Sequence, residues 1–384
     1  MSKKIVYLME YPIDLPGGGQ MSTKTLCEGL EGSEYVPVVI CPKLLAPKKD
    51  AFSFKVDEYP SFENREDGKV KRIINFIRRL FSFYGLIVKE DPDLIHVSMS
   101  ESLITYGFIR GLKKLKRIPF IYTDRGLCYG YRAHSKFFMK RTLKHASAMI
   151  CTTDYNRSLW EKEALPVKIR VIPNTISSVF GSYEEDKRAI LRKEQGIKDD
   201  DFVIGFAGRI SEEKDWDLVP VLVKRLWEEG IRFKVALVIS VYEKKDLETV
   251  KGIKKGITDV ITEDSLIYMQ DLSQEKMSDY YYLPDVFIMS SSFESFGKAA
   301  VEAMSRKCPV VSTSVGGLTE VIGKEENLYT KDDLTKFTEC IKRLYNDRKE
   351  LEKDRDFFYE RYRDNFTLDV HIKRHIRLYD EVLK

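Results

Sequence analysis

Short apolar runs alternate with stretches of helical periodicity from one end of the chain to the other. This alternation is typical of βαβ units, whose strands assemble into a parallel sheet with helices on its faces. A chain of 384 residues exceeds the size of one ordinary hydrophobic core. The sequence therefore predicts an α/β protein with two doubly wound domains. The expected strands lie near residues 4–9, 36–41, 94–97, 118–123, 147–152 and 169–172 in the first half, and near 202–207, 233–239, 266–269, 285–290 and 309–313 in the second.

A polar and charged segment, Gly181 to Asp201, separates the two series of strands. Because it is polar and charged, with only one short helical pattern inside, it is predicted to connect the two domains. This interpretation places a first domain at residues 1–180 and a second domain at residues 181–365. The chain from about Leu334 to its end is helical in pattern.

The cysteines and histidines show no spacing that is typical of a metal site. Six cysteines are scattered along the chain, which predicts reduced thiols in a cytoplasmic protein. His371 and His375 lie one helical turn apart, but no further zinc ligand accompanies them, so a packing or surface role is favoured. No apolar run is long enough to cross a bilayer, and no signal peptide is expected.

The net charge of +4 hides an asymmetry between the two halves. Residues 1–174 hold 29 Lys and Arg against 19 Asp and Glu, whereas residues 175–384 hold 35 against 41. Two segments of the first half, Lys69–Lys89 and Ser102–Thr123, combine basic and aromatic residues without any acid. Such a surface suits an anionic membrane. Nucleic acid is disfavoured because no recognition motif is present. Ordinary solvated helices are an equally weighted alternative.

One strand–helix–strand segment of the second half carries the densest set of candidate site residues. Val286 to Met289 predicts a buried strand, and residues 298–306 predict a helix that contains Glu302. Glu294 lies in the loop that leads into this helix. The first amides of the helix, near residues 296–298, are a natural site for an anion or a hydroxyl group. A purely structural unit with two exposed acids is the plain alternative.

This segment resembles the nucleotide-sugar site of the retaining GT-B glycosyltransferases of family 4. That family has two glutamates separated by seven residues within an ordered series of strand, loop, helix and glycine turn. The matching residues here are Glu294, Phe296, Gly297, Glu302, Ala303, Met304, Pro309, Val310, Val311, Gly316, Gly317 and Glu320. The resemblance implies the GT-B fold, in which two Rossmann-like domains face each other across a cleft. It also implies that residues 366–384 form a helix that crosses back to the first domain.

A second motif follows the strand near residues 202–207. Gly208, Arg209 and Lys214 are similar to the family's G-R-x-x-x-x-K loop. An arginine just past a strand and a lysine about one helical turn further on can converge on one diphosphate. Fixed cations there would stabilise the negative charge that develops on the leaving phosphate. An exposed ionic loop is the alternative, and phosphate binding is favoured because of the loop's place in the strand series.

The resemblance implies a role for each matching side chain. Arg209, Lys214 and Glu294 are the predicted catalytic residues, with Glu294 on the sugar hydroxyls and Glu302 on the ribose hydroxyls. The nucleobase would lie near residues 267–270. The full set of predicted donor-binding residues is Gly17, Gly18, Gly19, Asp124, Arg125, Asn174, Gly208, Met269, Ser295, Phe296, Gly297, Lys298 and Glu302.

Two positions depart from the family pattern. Arg125 stands where many members have a histidine that touches the donor sugar. A guanidinium prefers a carboxylate or phosphate, so Arg125 is predicted to face an anionic group of the donor or of the acceptor. Lys307 stands in place of a usual glycine, so its turn is expected to be strained or to adopt another conformation.

Together these features predict a retaining, metal-independent hexosyltransferase without a cofactor. Its donor would be a nucleoside-diphosphate sugar such as a UDP-sugar, and its acceptor a glycan or a lipid-linked sugar. The predicted setting is cell-envelope or capsule polysaccharide synthesis, with the protein bound peripherally to the inner face of the plasma membrane. A non-catalytic nucleotide-sugar-binding or regulatory subunit on the same scaffold is the alternative, because fold does not fix function.

Overall fold

The strands and helices form two units, each built around one parallel sheet. The computed structural model describes residues 2–15, 17–46, 52–60 and 67–384. The first unit comprises the chain up to Ser177 together with Leu368–Lys384, and the second comprises Ser178–Thr367. The predicted α/β fold class is thereby confirmed.

The sheet of the first unit has seven strands among the described residues, in the order β3-β2-β1-β4-β5-β6-β7, and all its pairings are parallel. Helices cover both of its faces. The elements are β1 Lys3–Leu8, α1 Gly18–Gly29, β2 Tyr35–Pro42, β3 Lys55–Tyr59, α2 Lys69–Glu90, β4 Leu94–Val97, α3 Ser100–Ile109, β5 Phe120–Asp124, α4 Ala133–Leu143, β6 Ala148–Cys151, α5 Asp154–Glu161 and β7 Ile169–Val171.

Successive side chains of β1 enter two different cores, because strand residues alternate between the faces of a sheet. Val6 and Leu8 pack with Phe83 of α2, whereas Ile5 and Tyr7 belong to a second cluster on the other face. Burial on both faces explains why these strands read as continuous apolar runs.

The second unit repeats this plan with six strands in the order β10-β9-β8-β11-β12-β13 within the described chain. Its pairings are again all parallel. The elements are α6 Lys187–Glu194, β8 Val203–Arg209, α7 Leu218–Glu228, β9 Lys234–Ser240, α8 Asp246–Thr258, β10 Leu266–Gln270, α9 Gln274–Tyr280, β11 Val286–Met289, α10 Lys298–Met304, β12 Val310–Thr313, α11 Leu318–Ile322, β13 Leu328–Tyr329, α12 Thr335–Asn346 and α13 Arg348–Asn365.

The last helix, α14 Leu368–Leu383, belongs to the first unit. It packs closely on α1: a Cβ placed on Gly29 would lie only 2.7 Å from the Ile372 side chain, so a larger residue there would have to displace that side chain. Tyr379 of α14 also joins a buried polar network. Its hydroxyl lies 2.8 Å from the Tyr7 hydroxyl and 3.0 Å from Nδ1 of His96.

The segment Gly181–Asp201 is not an interdomain connection, which corrects the prediction from its polar composition. It lies within the second unit, and two arginines of α6 reach a fully buried carboxylate. Asp285 accepts hydrogen bonds from Arg188 at 2.8 Å and Arg192 at 3.1 Å. Arg355 of α13 adds a third at 2.8 Å. Burial opposes the charge of Asp285, but these arginines hold its pKa below the usual value.

The strands predicted from apolar runs are confirmed to within a few residues, whereas β3 and β13 were not predicted. β3 has the sequence KVDEY, with charged residues in an edge strand, and β13 has only two residues. Neither offers a recognisable apolar run. No helix in the part of the chain that the structure describes is both long and apolar enough to cross a membrane.

Candidate active site

The second sheet has a topological switch point between β8 and β11, because the chain proceeds from β8 to one edge and from β11 to the other. Ligands of doubly wound sheets bind at the carboxyl ends of the strands at such a point. The loops after these two strands are tied together here. The Ser290 hydroxyl donates to the Lys214 carbonyl at 2.7 Å, and the Ser292 amide donates to the Glu213 carbonyl at 2.8 Å.

Arg209 ends β8 and Lys214 lies in the loop that follows it, and each of these two predicted catalytic cations is paired with a carboxylate. Lys214 Nζ lies 2.9 Å from Glu294 Oε2, and both side chains are about one-fifth exposed, at 19% and 20%. Arg209 pairs with Glu213 four residues on, but its side chain is 55% exposed. The sheet edge therefore brings Arg209, Lys214 and Glu294 to the same switch point. The Arg209 pair is local and solvated, so it is readily exchanged for another anion.

The loop that carries Glu294 is fixed by a glycine turn. The Gly317 amide donates to the Glu294 carbonyl at 2.9 Å. Gly316 has a φ of +52°, and a Cβ there would lie 2.2 Å from the same carbonyl oxygen. This turn therefore requires glycine, and it holds the backbone of Glu294 in place while the side chain reaches Lys214.

Helix α10 begins immediately after this loop, as predicted. Its cap residue Gly297 has a φ of +93°, and a Cβ there would lie 2.3 Å from the Leu318 side chain. Phe296 is buried, with its ring centroid 5.7 Å from that of Phe366. Ser295 and Lys298 flank them and are partly exposed. The chain thus enters α10 through a tight turn at the mouth of the switch point.

Glu302 lies one turn into α10 and accepts a hydrogen bond from the hydroxyl of Tyr281 at 3.0 Å. Burial raises the pKa of the Glu302 carboxyl, and the Tyr281 bond and the charges of Lys298 and Lys214 oppose this rise. Burial also raises the pKa of the Tyr281 phenol well above its ordinary value. Tyr281 therefore remains a proton donor to Glu302. Tyr281 was not predicted, because nothing in the local sequence connects it with α10.

Two further predicted residues of this unit lie on the same sheet edge. Gly208 is the second-last residue of β8, with the Lys214 and Trp216 side chains packed at its Cα. Met269 lies near the carboxyl end of β10, two strands from β8 at the margin of the sheet.

The turn at Lys307, which follows the carboxyl end of α10, is left-handed with a φ of +51°. Its ammonium group lies over the Tyr183 ring at 4.9 Å.

The predicted residues of the first unit gather at the carboxyl edge of its own sheet, whose switch point lies between β1 and β4. Gly17 caps α1, and Gly18 and Gly19 lie in its first turn. Asn174 is buried beyond the end of β7. Arg125 directly follows β5 and donates from Nη1 to the Ser98 carbonyl at 2.9 Å.

Asp124 is engaged entirely by its own unit. Its carboxylate accepts hydrogen bonds from Trp160 Nε1 at 2.6 Å, from the Tyr122 hydroxyl at 3.1 Å and from the Gly126 amide at 3.4 Å. The Tyr131 hydroxyl donates to it as well. The side chain is fully buried. Asp124 therefore has an evident structural role, and a donor-binding role for it stays a prediction.

A carboxylate that the sequence analysis did not single out lies at the same edge. Glu10, two residues beyond β1, accepts hydrogen bonds from the amide of Ser102 at 2.7 Å and from its hydroxyl at 3.2 Å. Burial and the nearby charge of Glu101 raise the pKa of Glu10 to about 7. Glu10 thus caps α3, whose own cap residue, Met99, has no side chain able to do so.

Among the described residues, no group of three or more His, Cys, Asp or Glu is arranged to hold a metal ion. His371 and His375 are packing residues, as predicted. His371 Nδ1 contacts the Pro173 carbonyl at 2.7 Å, and His375 Nδ1 contacts the His371 carbonyl at 3.0 Å.

Family profiles match nearly the whole chain. The profile described as Glycosyl transferases group 1 matches residues 187–361, and that described as Glycosyltransferase Family 4 matches residues 16–178. These ranges follow the two units, and the first of them contains the paired loops and α10. The chain therefore belongs to the group 1, family 4 glycosyltransferases.

Individual relatives are distant. An uncharacterized glycosyltransferase of Methanocaldococcus jannaschii is 24% identical over 83% of this chain and 82% of its own length. The capsular polysaccharide biosynthesis glycosyltransferase CapM of Staphylococcus aureus is 26% identical over 59% of this chain and 61% of its own. The structure of HepE from Anabaena, in complex with UDP and glucose, superposes with a TM-score of 0.77 at 16% identity, covering 98% of this chain and 99% of that one. This likeness confirms the GT-B fold.

Proposed function

We propose that this glycosyltransferase is a retaining enzyme that moves a sugar from a nucleoside-diphosphate sugar to a glycan or lipid-linked acceptor in cell-envelope polysaccharide synthesis. The observation that carries the proposal is the grouping of Arg209, Lys214 and Glu294 at one switch point, with Glu302 in the adjoining helix. The complex of HepE with UDP and glucose supports a UDP-sugar donor. The similarity to CapM supports an envelope acceptor.

In this proposal the two cations act on the leaving group. Breaking the bond between the sugar and the diphosphate leaves negative charge on a phosphate oxygen. Arg209 would bind it with its forked guanidinium and Lys214 with a point charge. Their carboxylate partners, Glu213 and Glu294, hold them in place beforehand and are displaced by the diphosphate. Preorganised charge of this kind is worth about 10²–10³ in rate per group.

Glu294 and Glu302 would accept hydrogen bonds from the hydroxyl groups of the donor. Glu302 would accept hydrogen bonds from the ribose, while Tyr281 occupies one of its oxygens and fixes its rotamer. Glu294 would accept from the transferred sugar once Lys214 has turned to the diphosphate. The amides near Phe296–Lys298 would bind sugar or phosphate oxygens at the start of α10.

Retention would follow from attack on the face that the diphosphate leaves. The acceptor oxygen forms its bond to the anomeric carbon while the bond to the phosphate oxygen breaks. The acceptor proton moves to an oxygen of the departing diphosphate, so the step needs no protein base. The proposal also includes no metal, since Arg209 and Lys214 supply the positive charge that a cation would otherwise bring.

Helix α2 supports an acceptor at a membrane surface. Val70, Ile73, Ile74, Ile77 and Phe81, here called the α2 stripe, recur at helical spacing and are 44% to 75% exposed. Lys69, Lys71, Arg72 and Arg78 are exposed on the same helix. An apolar stripe beside basic residues is typical of a helix that lies in the interface of an anionic bilayer. The proposed location is therefore the inner face of the plasma membrane.

One correction to the predicted basic surface follows from burial. Arg79 belongs to the basic segment Lys69–Lys89 that was predicted to suit an anionic membrane, but it is only 4% exposed, and its Nε donates to Thr105 Oγ1 at 2.9 Å. This hydrogen bond links α2 to α3, so Arg79 is not available to a lipid.

A screen of nucleoside-diphosphate sugars tests the proposed function. Thermal shift identifies the donor that the protein binds, because a specific ligand stabilises the folded state by mass action. Release of the nucleoside diphosphate in the presence of a membrane extract then reports transfer. Turnover that requires both the donor and the extract is the expected result. Tight binding of a sugar nucleotide without turnover would instead identify a non-catalytic subunit.

A further inference from the structure

Arg125 has an unusual environment for a charged side chain. It is mostly buried at the carboxyl edge of the first sheet, where its Nη1 donates to the Ser98 carbonyl at 2.9 Å. Its Nε atom is fully buried and has no hydrogen-bond partner. Within the described ranges, Arg125 forms no ion pair. Burial of a cation without a counter-charge is costly, so this guanidinium is set up to receive an anion.

Four other arginines with buried guanidinium groups each have an acid partner or several acceptors, although Arg355 Nε, like Arg125 Nε, has no hydrogen-bond partner. Arg188, Arg192 and Arg355 share the Asp285 carboxylate. Arg306 donates to Ser278, to the carbonyl of Ser305 and to that of Phe180. Among the described residues, Arg125 has one acceptor and no acid partner, so its charge is less compensated than theirs.

No neighbouring acid serves as the missing partner of Arg125. Asp124 precedes it in the chain, but the Asp124 carboxylate is engaged by Trp160 and three other donors. The remaining titratable groups that act on Arg125 include Tyr122, Tyr379, Tyr7, His96, His375 and Cys27. Burial raises the pKa values of the tyrosines and the cysteine and lowers those of the histidines. All six are therefore neutral near pH 7.

The surroundings of Arg125 offer further groups that favour an anion. Ser98 is 4% exposed, and its hydroxyl is buried without a hydrogen-bond partner. The Ser98 amide donates to the Leu8 carbonyl at 3.3 Å, which places Ser98 at the switch point between β1 and β4. A Cβ on Gly19 would lie 3.3 Å from the side chain of Met99, so the first turn of α1 lies beside the residue that follows Ser98.

We propose that Arg125 and Ser98 bind an anionic group, a carboxylate or a phosphate, of one of the two substrates. This inference rests on the proposed transfer reaction and specifies the chemistry of a substrate. A carboxylate would belong to the sugar of the donor, as in a uronic acid. A phosphate would belong to the acceptor. In either case, Arg125 is a specificity-determining residue. It binds an anionic group at the position where a histidine would contact a neutral sugar.

Calorimetric titration distinguishes the first source. UDP-glucose and UDP-glucuronic acid differ only in the carboxylate, and each is titrated into the wild type, Arg125→Gln and Arg125→His. Arg141→Gln, an exposed arginine on α4, is the matched control. A carboxylate-bearing donor is indicated if the wild type and the control prefer UDP-glucuronic acid by at least about ten-fold and both Arg125 variants lose that preference, since a charged hydrogen bond contributes this much.

Inorganic phosphate tests the second source. The titration uses a chain that already carries Arg209→Ala and Lys214→Ala, so that phosphate binding at the second unit does not interfere. A phosphate-bearing acceptor is indicated if phosphate raises the thermal midpoint of this chain, but not when Arg125→Gln is added. The inference is overturned if neither the UDP-glucuronic acid preference nor the phosphate effect depends on Arg125. Free UDP that fails to bind the wild type counts against the proposed donor and leaves the phosphate result valid.

The ligand-free stability of Arg125→Gln separates a binding role from a structural one. An uncompensated buried charge destabilises the free protein, so its removal should leave the thermal midpoint unchanged or raise it. A fall of several degrees in the midpoint would show that Arg125 supports the fold, and would overturn the inference.

Discussion

The carboxyl edges of the two sheets share one kind of switch point but differ in how their charged side chains are paired. At the second sheet, Arg209 and Lys214 each face a carboxylate, and Glu302 is held by Tyr281. At the first sheet, Arg125 has no acid partner in the part of the chain that the structure describes, and the Glu10 carboxyl has a pKa raised to about 7. The charges of the second edge are thus balanced before any ligand arrives, whereas those of the first edge are not.

This difference indicates a division of labour between the units. A balanced set of charges can exchange one anionic partner for another at little cost. An unbalanced charge selects a particular ligand, because only an anion relieves it. We therefore expect the identity of the substrates to be decided largely by the first unit. The predictions below separate the two edges, beginning with the largest expected effect.

Removal of either cation at the second edge should nearly abolish transfer. Arg209→Ala and Lys214→Ala should each lower kcat by about 10²–10³, since each removes a preorganised charge from the leaving diphosphate. Both residues lie in or next to a loop, so the thermal midpoint should change little. The measurement is steady-state release of nucleoside diphosphate.

Lys224→Ala is the matched control for these variants, because Lys224 is an exposed lysine of α7 in the same unit. Its turnover should equal that of the wild type. Wild-type turnover in both Arg209→Ala and Lys214→Ala would remove the second edge from the reaction.

As the pH falls, the first unit should lose stability against unfolding before the second unit does. Burial lowers the pKa of His96 and brings that of His375 to about 4. Both histidines are protonated below about pH 6.5 in the unfolded chain, so their contribution is complete above that value. It is lost as the pH falls from 6.5 towards 4, at a cost of about 3 kcal/mol for His375. Asp285 has a lowered pKa, so the second unit loses its contribution only below the usual aspartate range.

Hydrogen exchange followed separately in the two units between pH 7 and pH 4 measures this order. Glu10 acts in the opposite direction, because its raised pKa favours the folded state as the pH falls through about 7. The Glu10→Gln variant should therefore show a steeper acid loss in the first unit than the wild type. Equal acid sensitivity of the two units would contradict the contrast drawn between them.

Helix α2 should bind anionic vesicles. The loss of binding expected for each substituted residue is the smallest effect predicted here. Binding should fall steeply with salt, and each of Lys71→Gln and Arg78→Gln should weaken it by about 1 kcal/mol, or roughly five-fold. Ile77→Ser and Phe81→Ser should weaken it on account of lost apolar burial. Cosedimentation with vesicles of defined composition is the measurement.

The exposed lysines Lys251 and Lys255 of α8 provide the control for charge alone. Replacing both with glutamine should leave vesicle binding intact, because they lie in the second unit. Equal partition onto neutral and anionic vesicles, or binding to neither, would mean that α2 is an ordinary solvated helix.

Most of the fold was predictable because buried parallel strands leave continuous apolar runs, such as Val286–Met289. Elements without that signal were missed, including the charged edge strand Lys55–Tyr59. The segment Gly181–Asp201 was assigned to a connection because it is polar, although its arginines are directed at a buried acid. Composition does not reveal such a partner, since Asp285 lies about a hundred residues away in the sequence.

The candidate site was predictable where its residues follow one strand closely. Arg209, Lys214 and Glu294 were predicted in this way, and the structure places them at one sheet edge, while their catalytic role stays a prediction. Tyr281 and Glu10 were missed because each acts on a different element. The α2 stripe was missed for another reason: aromatic residues were weighed, yet Phe83 is buried while Ile73 and Ile77 are exposed. Which side of a helix faces the sheet depends on packing.

The central proposal is that Glu302 of the second unit holds the nucleotide, and titration of the free nucleoside diphosphate tests it most directly. Glu302→Ala should weaken that binding by at least about ten-fold, the value of a charged hydrogen bond. Glu294→Ala should bind the free nucleotide like the wild type while discriminating less among sugar donors. Arg125→Gln should also bind it normally. Wild-type affinity in Glu302→Ala, or loss of affinity in Arg125→Gln, would contradict the account.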